Sequence, residues 1–150
     1  MIKFLDATYN EETGTSWVLI DTDLGKFTGR AKLNPEDKDF ESKFTGCTIA
    51  EMRAAAKYFK KKYKEVNKEI KTLNNLVERI ESYKRFDKDN VSEDYKTIWK
   101  EIHRLQKIAK SYYEIFSSVE TSVDETVEKT FNFTRNFRNK RRKIEEDNVE

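Results

Sequence analysis

The apolar residues of this chain follow two periods, a two-residue alternation near its start and a three-four alternation through most of the remainder. From Ile49, the positions Ile49, Met52, Ala56, Phe59, Tyr63, Val66, Ile70, Leu73, Val77 and Ile80 follow at spacings of 3, 4, 3, 4, 3, 4, 3, 4 and 3. A seam averaging about 3.5 residues marks one face of a helix that packs lengthwise on another helix. A helix over residues 49–84 extends roughly 54 Å, longer than a small sheet can cover, so it needs a partner helix. The same chain supplies one. Val91, Tyr95, Ile98, Ile102, Leu105, Ala109, Tyr112, Phe116, Val119 and Val123 repeat at 4, 3, 4, 3, 4, 3, 4, 3 and 4. The polar link Arg85–Asn90 then turns the two seams into an antiparallel, coiled-coil-like helical hairpin. Thr48-x-x-Glu51 and Asn90-x-x-Glu93 read as capping boxes for its helices, with Ser92 an alternative N-cap.

After Val123 the seam drifts to Val127, Phe131, Phe133 and Phe137, and Ser117, Ser118, Thr121 and Ser122 gather just before it. Either the second helix continues with a changed face or a third begins near Ser122. Ser122-Val123-Asp124-Glu125, a further capping box, favours a break and a third C-terminal helix.

The opening segment alternates with period two. Ile2–Tyr9 and Ser16–Thr22 are β-branched and aromatic runs separated by Asn10-Glu11-Glu12-Thr13-Gly14, and Asp23-Leu24-Gly25 turns into Lys26–Leu33. A three-stranded antiparallel meander follows, needing cover on one face from the start of the long helix. Asn34-Pro35-Glu36-Asp37 reads as a short helical turn. All four glycines and the single proline lie within the first 46 residues, where the chain turns. The expected fold is α+β in one domain of 150 residues: a β-rich head over 1–46, helices over 47–143, and a frayed acidic tail over 144–150.

Composition narrows the class. Charged residues make up 39% and hydrophobic ones 36%, which suits long helices with wet outer faces. Net charge is only +2 and aromatics reach 13%, which argues against a disordered chain. The one cysteine, Cys47, permits no internal disulfide, and no run approaches the about 18 apolar residues of a membrane span. A cytoplasmic protein with neither leader nor membrane segment is expected.

Little in the sequence suggests catalysis. His103 is the only histidine, so neither a soft-ligand zinc site nor a nucleophilic triad can be assembled around it. Cys47 precedes a capping box, where a helix dipole lowers a thiol pKa, but has no evident base; a small buried filler is the simpler reading. Asp21 with Asp23, and Asp37 with Asp39 and Glu41, offer oxygen ligands but lie in turns, where acids cap. Asp87-Lys88-Asp89-Asn90-Val91-Ser92-Glu93 lacks the glycine of a calcium loop, and Gly25 with Gly29 lacks the lysine and hydroxyl of a phosphate loop. No enzyme activity, metal or cofactor is expected.

The basic clusters say more. Lys57, Lys60, Lys61, Lys62 and Lys64 surround Tyr58, Phe59 and Tyr63, and Arg135, Arg138, Lys140, Arg141, Arg142 and Lys143 occupy a window without an acid. Residues 1–46 carry 6 basic and 9 acidic groups, and residues 47–150 carry 24 and 19. Lys57, Lys60, Lys61, Lys64 and the six cations of the second window are candidate contacts to phosphate or to an acidic partner; the alternative is the solvated face of a helix. Trp99, Leu76, Tyr113 and Ile115 lie beside the seams, leaving apolar surface for a homodimer.

The stretches Gly25-Lys-Phe-Thr-Gly-Arg-Ala-Lys-Leu-Asn-Pro-Glu-Asp-Lys-Asp and Phe44-Thr-Gly-Cys-Thr-Ile-Ala-Glu-Met-Arg, within residues 1–56, resemble small accessory proteins of phages and prophages of Gram-positive bacteria. Their glycines, Pro35 and Cys47 are turn, cap and filler residues, so the resemblance carries no site residues. It implies a non-enzymatic protein that binds and inhibits a host defence complex, as anti-CRISPR proteins do, the partner being a protein complex or a ribonucleoprotein. The alternative expectation is a nucleic-acid-binding accessory protein using the basic helical patches.

Overall fold

A computed structural model describes the backbone of residues 1–32, 43–83 and 85–147 and the side chains of residues 1–32, 45–83, 85–129 and 143. Three strands and two helices follow in order: β1 (Ile2–Asn10), β2 (Thr15–Thr22), β3 (Gly25–Lys32), α1 (Lys43–Glu81) and α2 (Glu93–Asp147). The expected α+β architecture, an antiparallel meander followed by a helical hairpin, is present. The Asn34–Asp37 turn lies outside the described residues. The chain forms two compact units, one of Met1–Tyr58 with Ser117–Glu150 and one of Phe59–Phe116.

In the first unit the sheet runs β1-β2-β3, both pairs antiparallel. Alternation puts Ser16, Val18 and Ile20 of β2 on the covered face, all at most 1% exposed, beside Ala31 of β3. Ile49, Ala50 and Ala54 of α1 and Val123 of α2 complete that core, with Phe27, Cys47 and Met52 packed against it. The closest approach is at Gly29, where any Cβ would run into the backbone carbonyl of Ala50. A helix can sit this low on a strand only over a residue with no side chain. Gly46 repeats the device from the helix side, since a Cβ there would meet the Ser16 hydroxyl.

That contact corrects the predicted helix start. Gly46 stands inside α1, which begins at Lys43, so Thr48 is an interior residue and the Thr48–Glu51 capping box does not open the helix. Glycine was tolerated for close packing and not for a turn. Beyond the core, Tyr58 is 5% exposed, meets Phe27 edge to face at 5.9 Å, and donates its hydroxyl hydrogen bond to Asp23 at 2.7 Å.

β1 is the least covered strand. Phe4 pairs with the fully buried Ile20 yet is 51% exposed, and Ile2 and Leu5 are 38% and 37% exposed. α1 therefore covers β2 and β3 and stops short of β1. The register shifts between Phe4 and Asp6, a bulge that leaves Leu5 unpaired.

In the second unit the two helices pair antiparallel. Phe59 meets Tyr112 and Tyr63 meets Tyr113 near one end, while at the other the Tyr95 hydroxyl donates to the Glu81 carboxylate at 2.6 Å, so the start of α1 in this unit lies by the later part of α2 and its end by the earlier part. The Glu81 hydrogen bond holds the Tyr95 phenol protonated above its ordinary range, against a smaller opposing effect of Trp99. The link turns through Phe86 and Asn90, whose amides bond to the Tyr83 and Asp87 carbonyls. Ser92 accepts from the Tyr95 amide at 3.2 Å, so the alternative N-cap is the one used.

All twenty predicted seam positions are buried or half-buried, nineteen of them within α1 and α2 and Val91 just before α2. The predicted break near Ser122 does not occur, and there is no third helix among the described residues: α2 continues for 55 residues. The reason lies in the hydroxyls. Thr121 and Thr126 donate back to the carbonyls of Ser117 and Ser122 at 2.9 and 2.7 Å, so they are satisfied along the helix and compete for no new N-terminus. No helix among the described residues is long and apolar enough to cross a membrane.

Two substitutions test this packing. Gly29→Ala forces α1 off the sheet and is expected to cost about 3 kcal/mol in urea unfolding. Tyr58→Phe keeps the ring against Phe27 but loses the Asp23 bond, an expected loss of about 1 kcal/mol by the same measurement.

Candidate functional site

The predicted basic cluster on α1 is divided between the two units. Lys57 belongs to the first unit and Lys60, Lys61 and Lys64 to the second, and their surroundings differ. In the first unit the Lys57 ammonium donates to the Thr28 carbonyl at 2.6 Å, and Arg53, one turn earlier, donates to the Arg30 carbonyl at 2.8 Å. β3 is an edge strand whose outward carbonyls have no strand to pair with. Two long cations from the helix lying on the sheet satisfy them, while each keeps its charge. Tyr58, next to Lys57 in sequence, is buried.

In the second unit Lys60 lies over the Phe116 ring at 5.8 Å. Lys61, Lys64, Lys68 and Lys71 are exposed, and at 100° per residue they gather on the side of α1 away from the Phe59–Tyr63–Val66–Ile70 seam, with Lys60 on its flank. The stripe runs past the sequence cluster to Lys68 and Lys71. The unit carries 15 basic and 10 acidic residues. Several of its acids are matched locally: Glu101 forms a two-bond pair with Arg104, and Glu93 binds Lys96 at 3.1 Å. The Arg104 guanidinium holds the Glu101 carboxyl below its usual range.

The second basic window lies on α2, whose backbone is helical through it. The side chains of Arg135, Arg138, Lys140, Arg141 and Arg142 lie outside the described residues; Lys143 is exposed.

The remaining chemical candidates have structural surroundings. His103 stacks against Trp99 with centroids 5.9 Å apart, the end of a row in which Phe86, Tyr95 and Trp99 meet in turn. Cys47 is half-buried against the core inside α1, not at its N-terminus. Asp23 accepts from Tyr58, Asp21 lies across the sheet from Lys3 and Lys26, and Asp87 accepts from the Asp89 amide at 3.0 Å. Asp37, Asp39 and Glu41 lie outside the described residues. Among the described residues no three of His, Cys, Asp or Glu come together as metal ligands.

One surface was missed from the sequence, the face of the sheet turned away from α1. Trp17 of β2 is 41% exposed and lies between Thr8 of β1 and Arg30 of β3, with the Arg30 guanidinium 5.0 Å from its ring centroid. Lys3, Lys26 and Lys32 share that face by register. The alternation Ser16, Val18, Ile20 buried against Trp17 outside was the available signal; the eye goes instead to the helical lysines because they are contiguous in sequence. Compared with protein-family models, with curated proteins and with solved structures, the chain matches none.

The edge cap has a measurable consequence. Arg53→Met with Lys57→Met should lower stability by about 1 kcal/mol per lost bond and open β3 to pairing. The expected readout is concentration-dependent association in light scattering, absent in the parent protein.

Proposed function

We propose that this protein is a non-enzymatic binding protein of phage type that inhibits a host defence complex by docking on it through protein–protein contacts. The observation that carries this reading is the outer surface of the hairpin in Phe59–Phe116. There Leu76 is 42%, Tyr83 77%, Tyr113 52% and Ile115 41% exposed, among lysines and arginines that keep the surface soluble. Uncovered tyrosines and aliphatic side chains on rigid helices are the material of interface hot spots, since a rigid ring desolvates a large area at small entropic cost. Helices packed along a full seam hold such groups in fixed positions without a partner. The resemblance of residues 1–56 to phage accessory proteins supplies the biological setting, a bacterial cytoplasm with a defence complex to block. On this reading the protein has no substrate to turn over, needs no cofactor, and acts at a fixed ratio to its target.

A second reading has its own observation. Lys60, Lys61, Lys64, Lys68 and Lys71 lie along one exposed side of α1, a spacing that suits successive phosphates of a nucleic acid. The candidate partner is then duplex or folded nucleic acid.

Expression of the chain in a Gram-positive host with an active CRISPR system is expected to restore plasmid transformation against a targeting spacer. Tyr113→Ala with Ile115→Ser should abolish that protection while leaving the helical circular dichroism unchanged, and Lys64→Ala with Lys68→Ala should leave it intact. Protection lost only with the lysine pair, together with duplex binding that weakens steeply between about 50 and 200 mM salt, would transfer the function to the second reading.

A further inference from the structure

We infer that the outward face of the sheet, centred on Trp17 and Arg30, is a binding site for single-stranded nucleic acid. The site lies wholly within the first unit and does not depend on what the hairpin binds. Its floor is set by strand register. Trp17, the third residue of the central strand, stands with Thr8 on one side and Arg30 on the other. Thr8 is small, so the indole stands above its β1 neighbour and keeps 41% of its surface in solvent. Arg30 lies over the ring at 5.0 Å. A guanidinium stacked on an indole keeps its N–H edge free, so stacking orients it to receive a phosphate without consuming its donors.

The charge of the site is gathered on one strand. β3 carries Lys26, Arg30 and Lys32 and no acid. Arg53 and Lys57 add two more cations at the same strand's edge, fixed there by the Arg30 and Thr28 carbonyls. A carbonyl satisfies the hydrogen bond but leaves the positive charge uncompensated, and among the described residues none of the five is in an ion pair. Asp21, opposite Lys26, is the one acid paired in register with β3. The result is a cationic ridge with an aromatic platform beside it, the combination that tracks a phosphate backbone while stacking its bases.

The platform selects the class of nucleic acid. In a duplex the base faces are already stacked and only edges and phosphates can be reached, so an exposed indole gains nothing. A single strand offers a free π-face for every nucleotide. Three strands at about 4.8 Å spacing give room for two or three nucleotides crossing from β1 to the β3 ridge.

The protein has two tryptophans, so Trp99→Phe, a change within the hairpin, makes Trp17 the only indole reporter in an otherwise complete chain. Titration with an oligothymidylate of about twelve nucleotides at 50 mM salt is expected to quench its emission saturably. The log of affinity should fall with log salt by about 0.7 for each phosphate contacted. With a labelled oligonucleotide read by anisotropy, Trp17→Ala and Arg30→Ala should each weaken binding roughly 10-fold, the size of one lost base stack. Trp17→Phe should retain most of the affinity, which guards against a variant that merely fails to fold. Lys64→Ala with Lys68→Ala, on the hairpin, should leave the affinity unchanged. Absence of quenching overturns the inference. So does equal binding of Trp17→Ala and parent, displacement of the oligonucleotide by polyglutamate at equal charge, or a preference for duplex that only the hairpin lysines remove.

Discussion

The seating of α1 on β3 at Gly29 fixes the rest of the first unit. Because Gly29 offers no side chain and Ala50 and Ala54 offer almost none, helix and sheet approach until the Ala50 carbonyl occupies the space of a missing Cβ. That closeness lets Ala50 and Ala54, with Ile49 and Val123 beside them, seal Val18 and Ile20 from water. It also brings Arg53 and Lys57 within reach of the β3 carbonyls. A bulkier residue at position 29 would withdraw both caps together with the core, so packing and edge protection share one cause.

The hairpin was legible and the seating was not, for reasons that lie in side-chain size. Seam residues such as Phe59, Ile70, Ile102 and Leu105 are large, and their three-four spacing stands out against a lysine and glutamate background. The face that meets the sheet is made of Gly46, Ala50 and Ala54, residues that carry almost no hydrophobic signal although two of them are fully buried. Glycine usually marks a turn, and nothing in one dimension distinguishes a capping threonine from an interior one, so the sequence alone places the helix start at Thr48 and not before Gly46. The same ambiguity produced the expected break at Ser122. A hydroxyl can bond forward to free amides or back to the carbonyl four residues earlier, and Thr121 and Thr126 took the second course.

The candidate site was partly legible for a different reason. Contiguous lysines are visible in sequence, so Lys60, Lys61 and Lys64 were found, and their exposure on one side of the helix follows from spacing. What sequence could not supply was the distinction between a lysine that meets solvent and one that meets a carbonyl. Lys57 differs from Lys64 only in having an edge strand beneath it. Conversely, Lys3, Lys26, Arg30 and Lys32 lie far apart along the chain or among neutral residues and become one surface only when β1, β2 and β3 pair. Charge that is local in sequence reads as a patch, whereas charge assembled by register stays hidden until the fold is known.

Edge protection decides what the sheet can offer a partner. An open sheet presents two edges, and both are closed to a further strand by different means. β3 has its carbonyls bonded to Arg53 and Lys57. β1 is interrupted by the bulge at Leu5, and the Asp6 carboxylate accepts from the Ala7 amide at 2.8 Å, removing a donor an incoming strand would need. With edge pairing suppressed, recognition by the sheet has to use its faces. One face is spent on α1, with only the β1 flank around Phe4 left uncovered. The other carries Trp17, Arg30 and the lysines, and the residues that guard the β3 edge add two further cations along the border of this face. A device needed to keep the sheet from aggregating thereby concentrates positive potential beside its one exposed indole.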